Sequence, residues 1–431
     1  MFRHYSFVIF VCVIISAFLI TYEISPETEI HDDVTVQETV KSVELKPKYL
    51  EIQAGEILIK SYDREQAISA GDVIGFSGRL MSSEYYVQKY QNRSYTGYLK
   101  SRNISYICYP KKLEVTGHEK GIYSARGSLI SAVDRHIDRL YRSDAPVFKA
   151  LFYGDRSELS EDIKTSFSRT GTAHILALSG FHTGIVLVFI NILLIRVTVR
   201  KRGFAASGIL LAYAFLTGLR PSIIRAVAFF IIYYVSFIRE ERYSVLSSAL
   251  LTASVMAAVN PYYIYDAGFQ LSFASVISIA MFMPLARRYS VPSFMAVTLS
   301  AQILTLPIVV YSFGVMPIFG LAANFAVIPL ISLAMALFLV SMIFYAASAV
   351  IPFAGFFAKY ISQGAIFVKD MLIQINHMFE RLPYSYMENL ETEIWKIALY
   401  YVIILLIYRL WEIKTVKENI YELEELPKII A

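Results

Sequence analysis

The run His174-Ile-Leu-Ala-Leu-Ser-Gly-Phe-His-Thr-Gly184 places two imidazoles, a hydroxyl and two glycines at the mouth of a long apolar stretch. At bilayer depth such groups are costly, because hydrocarbon offers polar atoms no water partner. Several chemistries fit them. Ser179 with His182 has the makings of a nucleophile and its base, although in serine hydrolases of the membrane the base usually comes from another span. Those enzymes also carry a glycine two residues before the serine, where this chain has Ala177. His174 and His182 could hold a metal, but no carboxylate stands beside them to complete a ligand set. Ser179 and Gly180 could let two helices approach closely, the hydroxyl bonding a backbone carbonyl. The fourth reading is a polar path through protein, lined by these groups.

Two further segments pose the same choice. In Arg220-Pro-Ser-Ile-Ile-Arg225 two guanidiniums stand near a span end, where they can snorkel to headgroups or meet phosphate with their planar fork. In Asp266-Ala-Gly-Phe-Gln-Leu-Ser-Phe273 the Asp266 and Gln270 side chains share a helix face at a spacing of four, and Asp266 could equally cap that helix.

A third kind of chemistry is written outside the apolar runs. From Tyr85 to Leu113 there is no acidic residue, and Lys89, Arg93, Lys100, Arg102, Lys111 and Lys112 interleave with Tyr90, Tyr95, Tyr98 and other tyrosines. Basic groups track a phosphate backbone while ring faces stack on bases of any identity, so the pattern suits single-stranded nucleic acid. Half-buried tyrosines and merely solvated lysines on a barrel are the plainer alternative.

The elements that must position these groups follow from composition. The chain has 431 residues, 56% of them hydrophobic and 17% charged, against a usual charged share of about 25% in soluble domains. Repeated apolar runs are long enough to cross hydrocarbon, so the expected fold is a polytopic α-helical membrane protein of about ten spans. Residues 1–25 read as an uncleaved anchor with its N-terminus in the cytoplasm. Residues 27–121 alternate apolar and polar in short runs broken by glycines, which predicts a small all-β, OB-like extracytoplasmic domain. Residues 122–170 carry apolar positions at spacings of three and four, expected of amphipathic helices on the membrane surface. Spans fill 171–411, and 412–431 form a cytoplasmic tail. Basic clusters at Arg196–Arg202, Arg239–Arg242, Arg287–Arg288 and Arg409–Lys417 follow every second span and fall on one side. The two cysteines, Cys12 and Cys108, build neither a disulfide framework nor a metal site. No P-loop is present.

Together, His174-Ile-Leu-Ala-Leu-Ser-Gly-Phe-His182, Arg220-Pro-Ser-Ile-Ile-Arg-Ala226, Asn260-Pro and Asp266-Ala-Gly-Phe-Gln-Leu-Ser-Phe273 resemble the ComEC family of competence proteins, in order and in spacing. The likeness runs from about Thr170 to Arg409, with a less specific one to the family's oligonucleotide-binding domain near 40–120. The resemblance implies an inner-membrane channel that passes single-stranded DNA during natural transformation. His174, Ser179, Gly180, His182, Arg220, Arg225, Asp266 and Gln270 would then line or brace the path. Lys89, Tyr90, Arg93, Tyr95, Tyr98, Lys100, Arg102, Lys111 and Lys112 would form the external surface. Many members end in a metallo-β-lactamase-like domain, and its His-rich motif is missing here. No enzymatic activity, metal or cofactor is therefore expected. The implied partners are single-stranded DNA, membrane lipid, an extracytoplasmic DNA receptor, a separate nuclease and a cytoplasmic DNA-handling or motor protein, with a homo-oligomer possible. The competing expectation is a transporter of another anionic substrate, lipid-linked or nucleotide-like, with the same basic groups at a midplane site.

Overall fold

The computed structural model describes residues 2–23, 30–46, 48–64, 66–90, 94–176, 178–390 and 392–430. An apolar helix α1 (Phe2–Glu23) leads into β1 (Ile30–Leu45), β2 (Leu50–Ala54), β3 (Ile57–Ser61) and β4 (Asp72–Ser82). Two short helices, α2 (Ser83–Tyr90) and α3 (Ser94–Ser101), precede β5 (Tyr106–His118). The strands close a barrel in the order β1-β2-β3-β5-β4, with β3 and β5 parallel and the other pairs antiparallel. β1 is 16 residues long and pairs with β2 at one end and β4 at the other. Bulges between Val40 and Ser42 and between His31 and Val34 give it the bend such a double role needs. Alternation sets the core: Leu50, Ile52 and Ala54 of β2 turn inward to meet Val40, Ile59, Ile74, Phe76 and Cys108. Cys108 packs there as a small hydrophobe, its thiol pushed up to about 11 by burial.

The rest of the chain is helical. It comprises α4 (Ile122–Tyr141), α5 (Ala145–Tyr153), α6 (Glu161–Arg169), α7 (Ala173–Leu176), α8 (Gly180–Leu193), α9 (Val199–Leu216), α10 (Pro221–Ile238) and α11 (Val245–Val259). A 3-10 turn over Pro261–Tyr265 leads to α12 (Ala267–Arg288) and α13 (Ser293–Phe313). A two-residue strand β6 (Met316–Pro317), α14 (Gly320–Ala347), α15 (Ala354–Glu380), β7 (Tyr386–Met387) and α16 (Ile394–Ile430) complete the fold. β6 and β7 pair with each other.

Among the described residues, five helices are long and apolar enough to cross a membrane: α10, α12, α13, α14 and the Ile394–Thr415 part of α16. Three more apolar stretches are shorter, at Ser6–Thr21, α8 and α11. α9 begins with Arg200, Lys201 and Arg202, and α15 carries Lys359, Lys369 and Asp370, which leaves both short of that measure.

The stretch over 122–170 does form the expected helices, but its apolar side turns into the bundle. Tyr141 and Phe148 are fully buried against Phe338 of α14, with Phe148 and Phe338 stacked at 5.4 Å. Lys369 of α15 reaches Asp144 at 2.5 Å and Asp370 at 2.6 Å. Removal of so large an apolar face from water or lipid headgroups explains why amphipathicity alone did not reveal its partner.

Candidate nucleic-acid interface and membrane path

Three sequence segments that lie far apart in the chain meet in the bundle. Ser222 at the start of α10 donates its hydroxyl to the Leu178 carbonyl at 2.7 Å. A Cβ placed on Gly180 would lie 3.7 Å from the Ala226 side chain, so α8 runs close beside α10. Arg225, one turn further along α10, donates Nη2 to the Gly268 carbonyl of α12 at 3.1 Å. The His174, Arg220 and Asp266 segments thus share one neighbourhood.

Within it the roles divide. Ser179 is the N-cap of α8, and His182 closes a capping box on it. Its Nδ1 lies 3.1 Å from Ser179 Oγ and accepts the Ser179 backbone N–H at 3.4 Å. Among the described residues, no side chain hydrogen-bonds the other ring nitrogen, the buried Nε2. His174 sits on α7 with an exposed side chain. Asp266 caps α12, accepting the Phe269 N–H at 2.7 Å. Gln270 donates to the Ile264 carbonyl at 2.8 Å and braces the preceding turn. Asp266 and Gln270 therefore hold α12 and its turn in place.

The arginines differ from these. Arg225 is 3% exposed, and its Nε and Nη1 are buried without partners. Its guanidinium stands 5.4 Å from the Phe273 ring. A charge kept half-satisfied inside a protein is expensive. Arg220 is the N-cap of α10, where Pro221 fits the first helical turn. Its guanidinium lies against Gly154, whose φ of +82° and lack of a side chain make room: a Cβ there would be 2.8 Å from Arg220 Nη1.

On the barrel the expected surface splits. Tyr95 and Tyr98 stack at 5.6 Å, and Arg102 lies over the Tyr98 ring at 4.8 Å. Lys100 is committed elsewhere: it pairs with Glu84, and its ammonium stands 4.8 Å from the Tyr262 ring. Lys111 and Lys112 are exposed on β5, and Lys112 reaches Glu114 at 2.9 Å. Lys89 and Tyr90 end α2, but their side chains, like all of Arg93, fall outside the described residues.

Sequence reasoning did not find Lys60. It is 2% exposed, hydrogen-bonds Tyr86 Oη at 3.0 Å, and stands 4.6 Å from the Tyr86 ring, 5.3 Å from Tyr49 and 5.9 Å from Tyr95. Tyr86 bonds Tyr109, and Tyr109 stacks on Tyr62, which is 69% exposed. The tyrosines form a ladder of rings held by two cations, Lys60 and Arg102.

That ladder ends at the bundle. Asn260 Nδ2 donates to the carbonyls of Lys100 and Ser101 at 3.3 and 3.2 Å and to Asn103 Oδ1 at 3.2 Å, so its amide grips both sides of Arg102. α3 packs so tightly on the Pro261–Tyr265 turn that a Cβ on Gly97 would be 2.4 Å from the Tyr265 Cβ. The Asn260-Pro261 pair is thus a latch between barrel and bundle. Electrostatics reports the same closeness. Burial would raise the Glu44 carboxyl, yet Lys46, bonded to it at 2.8 Å, and then Arg102 and Arg220 hold it down at about 2.

A barrel latched to a bundle of long apolar helices defines a membrane protein with an appended β domain. The chain matches the competence protein family over residues 151–414, and it belongs to that family. It is 32% identical over 171 residues to "ComE operon protein 3" of Bacillus subtilis (strain 168), covering 39% of this chain and 22% of that protein. An "Uncharacterized protein" of Aquifex aeolicus (strain VF5) is 31% identical over 131 residues, covering 30% of this chain and 31% of its own length. In both cases the matched part is well under two thirds of the relative. No solved structure matches the chain.

Proposed function

We propose that this protein is a channel that carries single-stranded DNA across the bacterial inner membrane in natural transformation, and that it acts without enzymatic activity of its own. The observation that carries the reading is Arg225, a buried guanidinium with two unpartnered nitrogens where three family-like segments converge. A phosphate passing that point supplies the missing acceptors briefly, which suits conduction, since binding must be weak enough to release. The barrel's strand order, with β3 and β5 closing it, is that of oligonucleotide-binding barrels and fits an extracytoplasmic holder for the strand. In this reading the shorter apolar helices, α9 and α15 join the five long ones to make about ten spans, with both termini cytoplasmic. A DNA receptor outside, a separate nuclease and a cytoplasmic motor complete the system.

The test is a clean deletion strain fed fluorescent DNA and complemented with the wild-type or Arg225→Ala gene. Deletion should abolish DNA in the cytoplasm while leaving periplasmic uptake intact, and Arg225→Ala should behave like the deletion at normal protein level. Unchanged transformation frequency in the deletion would instead favour a transporter of another anion.

A further inference from the structure

Beside the seam between barrel and bundle, α4 carries a cation to the mouth of an apolar groove. The start of α4 is pinned to the barrel, since a Cβ on Gly71 would lie 2.7 Å from the Ser124 Cβ. Two residues on, Arg126 meets the end of α9. There the turn at Gly218, with φ +78°, returns the Gly218 and Leu219 N–H groups to the Phe215 and Ala214 carbonyls, and the Leu216 carbonyl is left over. Arg126 Nε donates to that carbonyl at 3.2 Å, and its guanidinium lies against Gly218, where a Cβ would be 2.8 Å from Nη2. Among the described residues, Arg126 makes no ion pair, and its Nη1 and Nη2 have no hydrogen-bond partner.

The side chain of Leu216 lines a groove of about 390 Å³, and so does Leu129, one turn beyond Arg126 on α4. Phe152 of α5, Ile190 of α8, Tyr213 of α9 and Leu339 of α14 add to its wall. Tyr213 spends its hydroxyl on the Phe152 carbonyl at 2.7 Å, which leaves its ring as an apolar surface. Ile190, Tyr213, Leu216 and Leu339 are buried while Leu129 is 46% exposed, so the groove opens beside the Arg126 turn. A gap of this size forfeits dispersion contacts unless something fills it. A helix laid into it would cover Arg126 and strand the charge. An alkyl chain with an anionic head fills the groove and answers the charge together, and the planar guanidinium suits a phosphate.

We propose that α4, α5, α8, α9 and α14 form a binding site for an anionic phospholipid, its phosphate on Arg126 and an acyl chain in the groove. Hydrocarbon gains little by leaving one apolar setting for another, so the groove selects for fit and Arg126 selects for charge. The site does not depend on what crosses the bundle, and it stands or falls apart from the DNA reading.

The experiment takes the full chain from nanodiscs of equimolar palmitoyl-oleoyl phosphatidylglycerol and phosphatidylcholine, and counts the lipid that stays bound by native mass spectrometry. Wild type should retain phosphatidylglycerol over phosphatidylcholine by about fivefold at low salt, the effect of one basic side chain near a charged headgroup. Arg126→Gln should retain lipid but lose the preference. Ala212→Phe, which sets a ring into the groove from an exposed position on α9, should lose retention of both lipids. Should Arg126→Gln not fold, Ala212→Phe decides alone. Equal retention of the two lipids by wild type, or an unchanged preference in Arg126→Gln, overturns the proposal. A preference that persists in Ala212→Phe puts the anion on Arg126 without a tail in the groove, and overturns it as well.

Discussion

Barrel and bundle treat buried cations in opposite ways. In the barrel Lys60 is surrounded by the faces of Tyr49, Tyr86 and Tyr95 and bonded to a phenol, so its charge is fully answered. In the bundle Arg225 meets one carbonyl and one ring, and two of its nitrogens go unanswered. The same contrast holds among neutral groups. Of the described buried side chains with at least one polar atom lacking a partner, Gln66 belongs to the barrel, while His182, Thr252 and Asn324 join Arg225 in the bundle. Satisfied polar networks rigidify, and unsatisfied ones mark places where something is missing or passes through. Among the described residues, unpartnered buried polar atoms are more numerous in the bundle than in the barrel.

The contrast can be broken most decisively at Arg225. Arg225→Met should abolish cytoplasmic DNA uptake while leaving the melting temperature in detergent unchanged or higher, because a packed apolar side chain replaces a poorly paired charge at a gain of about 1–4 kcal/mol. A variant that loses both stability and uptake would make Arg225 a structural residue. Lys60→Met should do the reverse, lowering barrel stability by about 2 kcal/mol as its tyrosine contacts and hydrogen bond are lost. Hydrogen exchange of β3 reads this directly. At the seam, Gly97→Val should force α3 off the 3-10 turn, at a cost of about 1–3 kcal/mol. Crosslinking between Tyr265 and α3 should then fall. Ser179→Ala removes a cap and should cost about 1 kcal/mol with uptake retained; complete loss of function would revive a nucleophile. The smallest effect is in acid. Glu44 titrates lower in the folded chain than its ordinary 4.5, so its contribution is complete above that value and fades as the pH falls toward about 2. Barrel unfolding followed by tyrosine fluorescence should show this loss in wild type and not in Glu44→Gln.

How much of this could be read from the chain depends on distance in sequence. The Asp266 cap is local, spanning three residues, and its residue type at that spacing announced it; the Ser179–His182 capping box is equally local but was not read as one, because a serine near a histidine first suggests chemistry. The barrel was legible because alternation and glycine breaks recur strand by strand. The basic, tyrosine-rich context of Lys100 was legible, whereas its ties to Glu84 and Tyr262 at the seam depend on the folded chain. Lys60 was silent for that reason too. Its cage is assembled from Tyr49, Tyr86 and Tyr95, brought together by the strand order and by α2 and α3 lying across it. Helix patterning likewise announced an apolar side on 122–170 without saying that α14 would cover it.

The missing methyl at Gly97 has a bearing on how such proteins can be recombined. With Tyr265 pressed against bare backbone and Asn260 reading the carbonyls beside it, the two halves have to be inherited as a matched set. Chimeras that swap the barrel between relatives should assemble only when the segment around 260–266 travels with it.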